Sequence, residues 1–128
     1  MRNWDLKKTI IDIYFLVEPV SINIIPSTEE GIVKFKPGEN LKLTCQVDGG
    51  RPKANITWTF STNPKKSESQ EKTIDVLSNG KKTVTTINEI LIRPSQSDHL
   101  SKVTCAADHI TLNNPMKKEI KLQYVGML

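Results

Sequence analysis

Few side chains in this sequence have the types and spacing that would support chemistry. Cys45 and Cys105 are its two cysteines, so the chain forms one disulfide or none. His99 and His109 bracket Cys105. A zinc site nevertheless fits poorly, because no closely spaced ligand pair of the C-x2-C kind is present. We therefore expect the cysteines to matter through their redox state rather than through metal binding.

Neither histidine is well placed for catalysis. Asp98 precedes His99 and Asp108 precedes His109. Neighbours on a strand point to opposite faces, so neither pair makes a natural acid–base unit. No nucleophile elbow and no glycine-rich phosphate loop accompanies them. The sequence predicts no enzyme activity, no catalytic residue, no metal site and no cofactor.

The composition is that of one globular domain. The 128 residues suffice for a single core, with 37% hydrophobic and 25% charged residues. The net charge of +4 comes with scattered lysine pairs and no interleaved aromatic residues. This pattern favours a solvated surface over weak contact with a polyanion, and it argues against nucleic acid as a partner.

The first nineteen residues are poorly defined by their pattern. Their apolar run, residues 10–17, is interrupted by Asp12 and is far shorter than the roughly 20 residues of a membrane helix. It faintly resembles a secretory signal but lacks a small-residue cleavage site, so a strand fragment or a mispredicted start is favoured. We expect no membrane insertion by this segment. The predicted domain is 20–125, after a segment 1–19 and before a linker start or truncated end at 126–128.

Short runs with a period of two follow from Val20 onward. In the clearest, Leu41, Leu43, Cys45 and Val47 share one face. Asn79-Gly80 is a strong hairpin signal, whereas residues 61–72 are polar and predict a loop or a frayed edge. No stretch of ten residues shows the helical period. Predicted strands begin near residues 20, 32, 40, 54, 73, 83, 102 and 117, which indicates an all-β sandwich.

One constellation narrows the fold further. Cys45 and Trp58 lie on the inward faces of successive predicted strands, and Cys105 lies inward on a later one. A disulfide between the cysteines would cross two sheets about 10 Å apart, with the indole against it. Two buried free cysteines beside a core tryptophan would give the same fold. The predicted class is an immunoglobulin-like, two-sheet antiparallel β-sandwich with one inter-sheet disulfide.

Three segments carry a family resemblance: GENLKLTCQVDGGRPKANITW, EILIRPSQSDHLSKVTCAADH and KKEIKLQYV. Together they cover about 20–125, and they resemble a C2-type immunoglobulin-like domain of cell-adhesion receptors such as the arthropod sidestep-like, nectin-like and nephrin-like molecules. In such domains a polar crossover ends in an aspartate, here Asp98. Val103 stands where many immunoglobulin domains have a tyrosine, a departure that fits the C2 type.

The resemblance implies an extracellular protein–protein binding module of a cell-surface adhesion or guidance-type receptor. Such a module would bind another cell-surface protein noncovalently, homophilically or heterophilically, and would have neighbouring immunoglobulin domains in its parent chain. The alternative is a structural spacer in a multi-immunoglobulin chain, extracellular or intracellular, with no ligand of its own.

Two further features concern surface sites. Asn55-Ile56-Thr57 is a glycosylation sequon on the face opposite Trp58, or else an ordinary polar strand segment. The predicted loop at 108–116 holds three apolar residues, Ile110, Leu112 and Met116. We expect them to contact a partner or a neighbouring domain, the alternative being that they cover the end of the sandwich.

Overall fold

A computed structural model describes residues 16–126 of the chain. Most of the predicted N-terminal segment, and residues 127 and 128 of the predicted tail, therefore lie outside the described residues. One 3₁₀ turn, Gln96–Asp98, precedes β8. The strands are β1 (Ser21–Ile25), β2 (Ile32–Phe35), β3 (Leu41–Asp48), β4 (Asn55–Phe60), β5 (Lys65–Lys66), β6 (Gln70–Ser78), β7 (Lys81–Arg93), β8 (Lys102–Asp108) and β9 (Met116–Tyr124).

The strands form two sheets, which confirms the predicted β-sandwich. The first sheet has the order β1-β3-β7, and β5 and β6 both pair with the outer side of β7. The second sheet has the order β2-β9-β8-β4. One pair departs from the antiparallel pattern, since β2 lies parallel to β9. Residues 26–31 carry the chain from the first sheet to the second.

Half-buried strands follow the alternation in their sequence. In β3, Leu41, Leu43, Cys45 and Val47 are buried, and the residues between them are not. β7 buries its even-numbered set from Thr86 onward and turns the odd-numbered set outward. Its pairing with β3 and β6 is continuous, so the paired stretch of this long strand contains no bulge.

The polar segment at 61–72 is more ordered than its sequence indicates. It contains the two-residue strand β5, and β6 begins at Gln70 rather than at Thr73. Residues 70–77 are all exposed, so no buried face imposes an apolar alternation that would mark the strand. The predicted hairpin follows at Asn79 and Gly80, whose φ values of 52° and 76° are those of a type I′ turn.

Two links join the sheets at their centre. Cys45 of β3 and Cys105 of β8 form the expected disulfide, with their Cα atoms 6.4 Å apart. Trp58 of β4 packs against the buried cluster, and its Nε1–H donates a hydrogen bond to Asn88 Oδ1 of β7 at 2.8 Å. The tryptophan thus connects the sheets with a polar bond as well as with its ring.

Within residues 16–126, no helix is long and apolar enough to cross a membrane.

Candidate recognition surface at the loop end

The candidate site is one end of the sandwich, which we call the loop end. Two loops form it: the β3–β4 loop (49–54) and the β8–β9 loop (109–115). The β6–β7 turn and the entry into β1 lie at the same end. Loops held by a rigid sandwich carry recognition in many proteins, and the predicted binding residues lie in or next to the β8–β9 loop at this end.

The β3–β4 loop is held in place by its glycines and by backbone hydrogen bonds. Gly49 has φ +79°, and a Cβ there would lie 3.0 Å from Val20 Cγ2, so a larger residue would be both strained and crowded. The Gly50 carbonyl accepts the Val84 N–H at 2.9 Å. Arg51 exchanges two backbone hydrogen bonds with Val17, at 2.9 and 3.0 Å. The loop is therefore anchored to β7 and to the segment before β1.

His109 fastens the second loop to the first. Its side chain is 5% exposed, and Nε2 lies 2.8 Å from the Pro52 carbonyl oxygen. Nδ1 lies 2.7 Å from Thr111 Oγ1 and accepts the Thr111 N–H at 3.2 Å. Because Nδ1 accepts a backbone N–H, we assign the ring proton to Nε2, which donates it to Pro52. One imidazole thus joins the two loops and shapes the turn after it.

The three predicted binding residues occupy different environments. Ile110 follows His109 and is 71% exposed. Leu112 is half-buried, and its N–H donates to the His109 carbonyl at 2.9 Å. Met116 is the first residue of β9 and packs against the core. The loop therefore presents Ile110 to solvent, while Met116 helps to close the end of the sandwich.

The sequon lies beside this end. Asn55 is the first residue of β4, is exposed, and pairs with Asp108 of β8 across the sheet. Thr57 is exposed on the same face. Asn55 is thus an exposed residue at the start of an edge strand.

The two histidines and Asp98 make hydrogen bonds that hold loops and turns in place. His99 Nδ1 accepts the Tyr124 N–H at 2.9 Å, and the His109 ring contacts its own loop and Pro52. Asp98 is buried and accepts hydrogen bonds from Thr62 Oγ1 at 2.6 Å and from the Ser95 N–H at 2.8 Å, which holds the 3₁₀ turn. In the described part of the chain, no three His, Cys, Asp or Glu residues cluster as metal ligands.

Sequence reasoning missed two of these polar contacts. Asn88 lies in the inward set of its predicted strand, and a buried amide facing an inward tryptophan is a signal that would have suggested the bond to Trp58. His109 carries no comparable signal, since its partner is a loop carbonyl 57 residues away in sequence.

Comparison with known proteins assigns the family. A model of the CD80-like C2-set immunoglobulin domain matches residues 23–115. Cell adhesion molecule 3 of Xenopus laevis is 31% identical over 93 residues, which are 70% of this chain and 23% of that protein. The chain thus spans less than a quarter of the length of this relative.

Two solved structures share the fold. A crystal structure of Rst D1-D2 aligns with a TM-score of 0.70 and 18% identity, covering 86% of this chain and 51% of that one. The full ectodomain of mouse nectin-like molecule 4, Ig1–Ig3, aligns with a TM-score of 0.60 and 19% identity, covering 84% and 33%.

These matches confirm the resemblance to a C2-type domain of adhesion receptors. Domains of this kind are not enzymes, which agrees with the absence of catalytic motifs in the sequence. Since the family model covers well over half of its residues, the chain belongs to the CD80-like C2-set immunoglobulin domain family.

Proposed function

We propose that this domain is an extracellular recognition module of a multidomain adhesion or guidance-type receptor. It binds another cell-surface protein noncovalently through the loop end, and further immunoglobulin domains flank it in the parent chain. The observation that carries the proposal is Ile110, a large apolar side chain exposed on a loop that the buried His109 fixes in position.

A fixed loop favours binding for an energetic reason. Association costs free energy when side chains and loops must be ordered at the interface, and a preorganised surface avoids much of that cost. The β3–β4 loop is anchored on both sides, and the β8–β9 loop is fastened to it through Pro52. An exposed isoleucine on such a support is a suitable apolar anchor for a partner pocket.

The extracellular location rests on two features of the chain. A disulfide such as Cys45–Cys105 persists in oxidising compartments and is rare in the cytosol. The accessible sequon at Asn55 would accept a glycan in the secretory pathway.

The test is a binding screen with the chain displayed as a multimer, so that avidity makes weak contacts measurable. The multimer is probed against a panel of cell-surface ectodomains and against itself. We expect selective binding, weakened about tenfold or more by Ile110→Asp. The matched control is Leu100→Asp, which alters a 55% exposed leucine in the segment between the 3₁₀ turn and β8.

Two results would contradict the proposal. A folded multimer that binds nothing across the panel would indicate a spacer domain instead. Equal weakening by Ile110→Asp and Leu100→Asp would mean that the loop end is not the recognition surface.

A further inference from the structure

The outer edge of β6 is a long strand edge without a partner among residues 16–126. β6 has nine residues and pairs with β7 on one side only. Residues 70–77 are all exposed, and they include Ile74 at 49% and Leu77 at 76% exposure. An unpaired edge with exposed apolar side chains is a template for pairing with another strand, and natural proteins usually protect such edges.

The other outer edges of the two sheets are shorter. β1 has five residues and β2 has four, and β4 has six, the first of which is the sequon asparagine. A glycan on Asn55 would obstruct strand addition at β4. β6 is therefore the edge with the greatest length for pairing, about 30 Å for nine residues.

We propose that β6 pairs antiparallel with β6 of a second copy of this chain, around a two-fold axis at Ile74. The two five-stranded sheets then join into one continuous sheet. The inference goes beyond the proposed function, because it adds a second contact surface, the β6 edge, whose partner is a second copy of the chain.

Geometry limits the registers that such a dimer can adopt. A two-fold axis perpendicular to the sheet keeps each face on the same side in both copies, and directly opposed residues of antiparallel strands share a face. Opposed residues must then be both odd-numbered or both even-numbered. One residue therefore always lies on the axis, directly opposite the same residue of the other copy. The candidate registers therefore differ only in which residue lies on the axis.

Charge and overlap select Ile74 among these registers. An axis at Lys72 or at Asp75 places that charge opposite itself, and an axis at Thr73 places Glu71 opposite Asp75 of the other copy; like charges directly opposed destabilise a sheet. An axis at Ile74 opposes no like charges and pairs all nine residues of the strand. The opposed residues are then Gln70 with Ser78, Glu71 with Leu77, Lys72 with Val76, Thr73 with Asp75, and Ile74 with itself.

Cysteine cross-linking tests this register directly. In the full chain, Ile74→Cys places two thiols on the axis, where directly opposed Cβ atoms lie about 4.5–5.5 Å apart. Mild oxidation should therefore give a covalent dimer. In Val76→Cys the two thiols are four residues out of register, about 13 Å apart, and should not cross-link. A mixture of Lys72→Cys and Val76→Cys chains should cross-link as a heterodimer.

The controls separate pairing from random oxidation. Ile25→Cys alters a residue of similar exposure, 51%, on the opposite edge of the same sheet, and should give no covalent dimer on oxidation. Peptide mapping must show that Cys45–Cys105 remains intact. The register would be overturned if Val76→Cys chains cross-linked with one another in the absence of Lys72→Cys chains. It would also be overturned if Ile25→Cys cross-linked as readily as Ile74→Cys.

Sedimentation of the unmodified chain provides the second measurement. We expect a concentration-dependent dimer that Ile74→Lys weakens about tenfold or more, because it opposes two positive charges on the axis, and that Ile25→Lys leaves unchanged. A chain that stays monomeric at all concentrations and gives no Ile74→Cys dimer would overturn the inference. If that monomer still binds another ectodomain through Ile110, the proposed function stands and only the homophilic pairing fails.

Discussion

Three polar or covalent links join distant parts of this chain, two at its centre and one at the loop end, and they hold different parts of the structure in place. At the centre, the Cys45–Cys105 disulfide and the Trp58–Asn88 hydrogen bond connect the two sheets within a buried cluster. At the loop end, the His109 imidazole connects two surface loops. The central links set the stability of the whole domain, while the peripheral one sets the shape of a small surface. Substitution of the exposed loop residue Ile110 should therefore leave the central links intact.

The largest expected effect comes from the disulfide. The double variant Cys45→Ala/Cys105→Ala opens a loop with a sequence separation of 60 residues. We expect the free energy of unfolding to fall by about 4 kcal/mol, because the unfolded chain regains the entropy that the cross-link removes. Urea denaturation measures this. A loss below about 1 kcal/mol would show that the core is held mainly by packing.

Trp58→Phe should have a smaller effect than loss of the disulfide. It removes part of a core side chain and leaves Asn88 Oδ1 buried without its donor, at a cost of about 2 kcal/mol. Urea denaturation of Trp58→Phe, Asn88→Leu and the double variant forms a thermodynamic cycle. We expect the double variant to lose less than the sum of the two. Strict additivity would mean that the hydrogen bond does not couple these residues.

His109→Ala should have the smallest effect on global stability, about 1 kcal/mol. Its main result should be local, because the β8–β9 loop loses its attachment to Pro52. Hydrogen exchange should show faster exchange at the Thr111 and Leu112 amides, with little change at the amides of β3. Thr111→Val is the matched control, since it removes the hydroxyl contact but keeps the bond to Pro52. Uniform acceleration across the domain would contradict the local role.

The strands that can be predicted from the sequence are those with one buried face, because burial of one face imposes an alternation of apolar and polar residues. In β3 and β8 every second residue faces the core, so the alternation around Cys45 and Cys105 identified both strands and their inward faces, and placed the two cysteines where a disulfide could form. β5 and the first residues of β6 have no buried face, and their polar sequence resembles a loop. Contacts between segments that are distant in the chain also could not be predicted from the sequence. The parallel pairing of β2 with β9 and the partner of His109 depend on where distant segments meet.

The parallel pairing of β2 with β9 has a mechanical consequence. The chain enters β1 at the loop end, where the Val20 N–H donates to the Asp48 carbonyl, and leaves β9 at the opposite end. Tension between the two ends therefore pulls β2 and β9 past each other along their length, and their hydrogen bonds carry the load together instead of opening one at a time. If that pair yields, the Cys45–Cys105 bridge keeps the residues between the cysteines from extending. A domain connected in this way resists lengthening when tension is applied between its two ends.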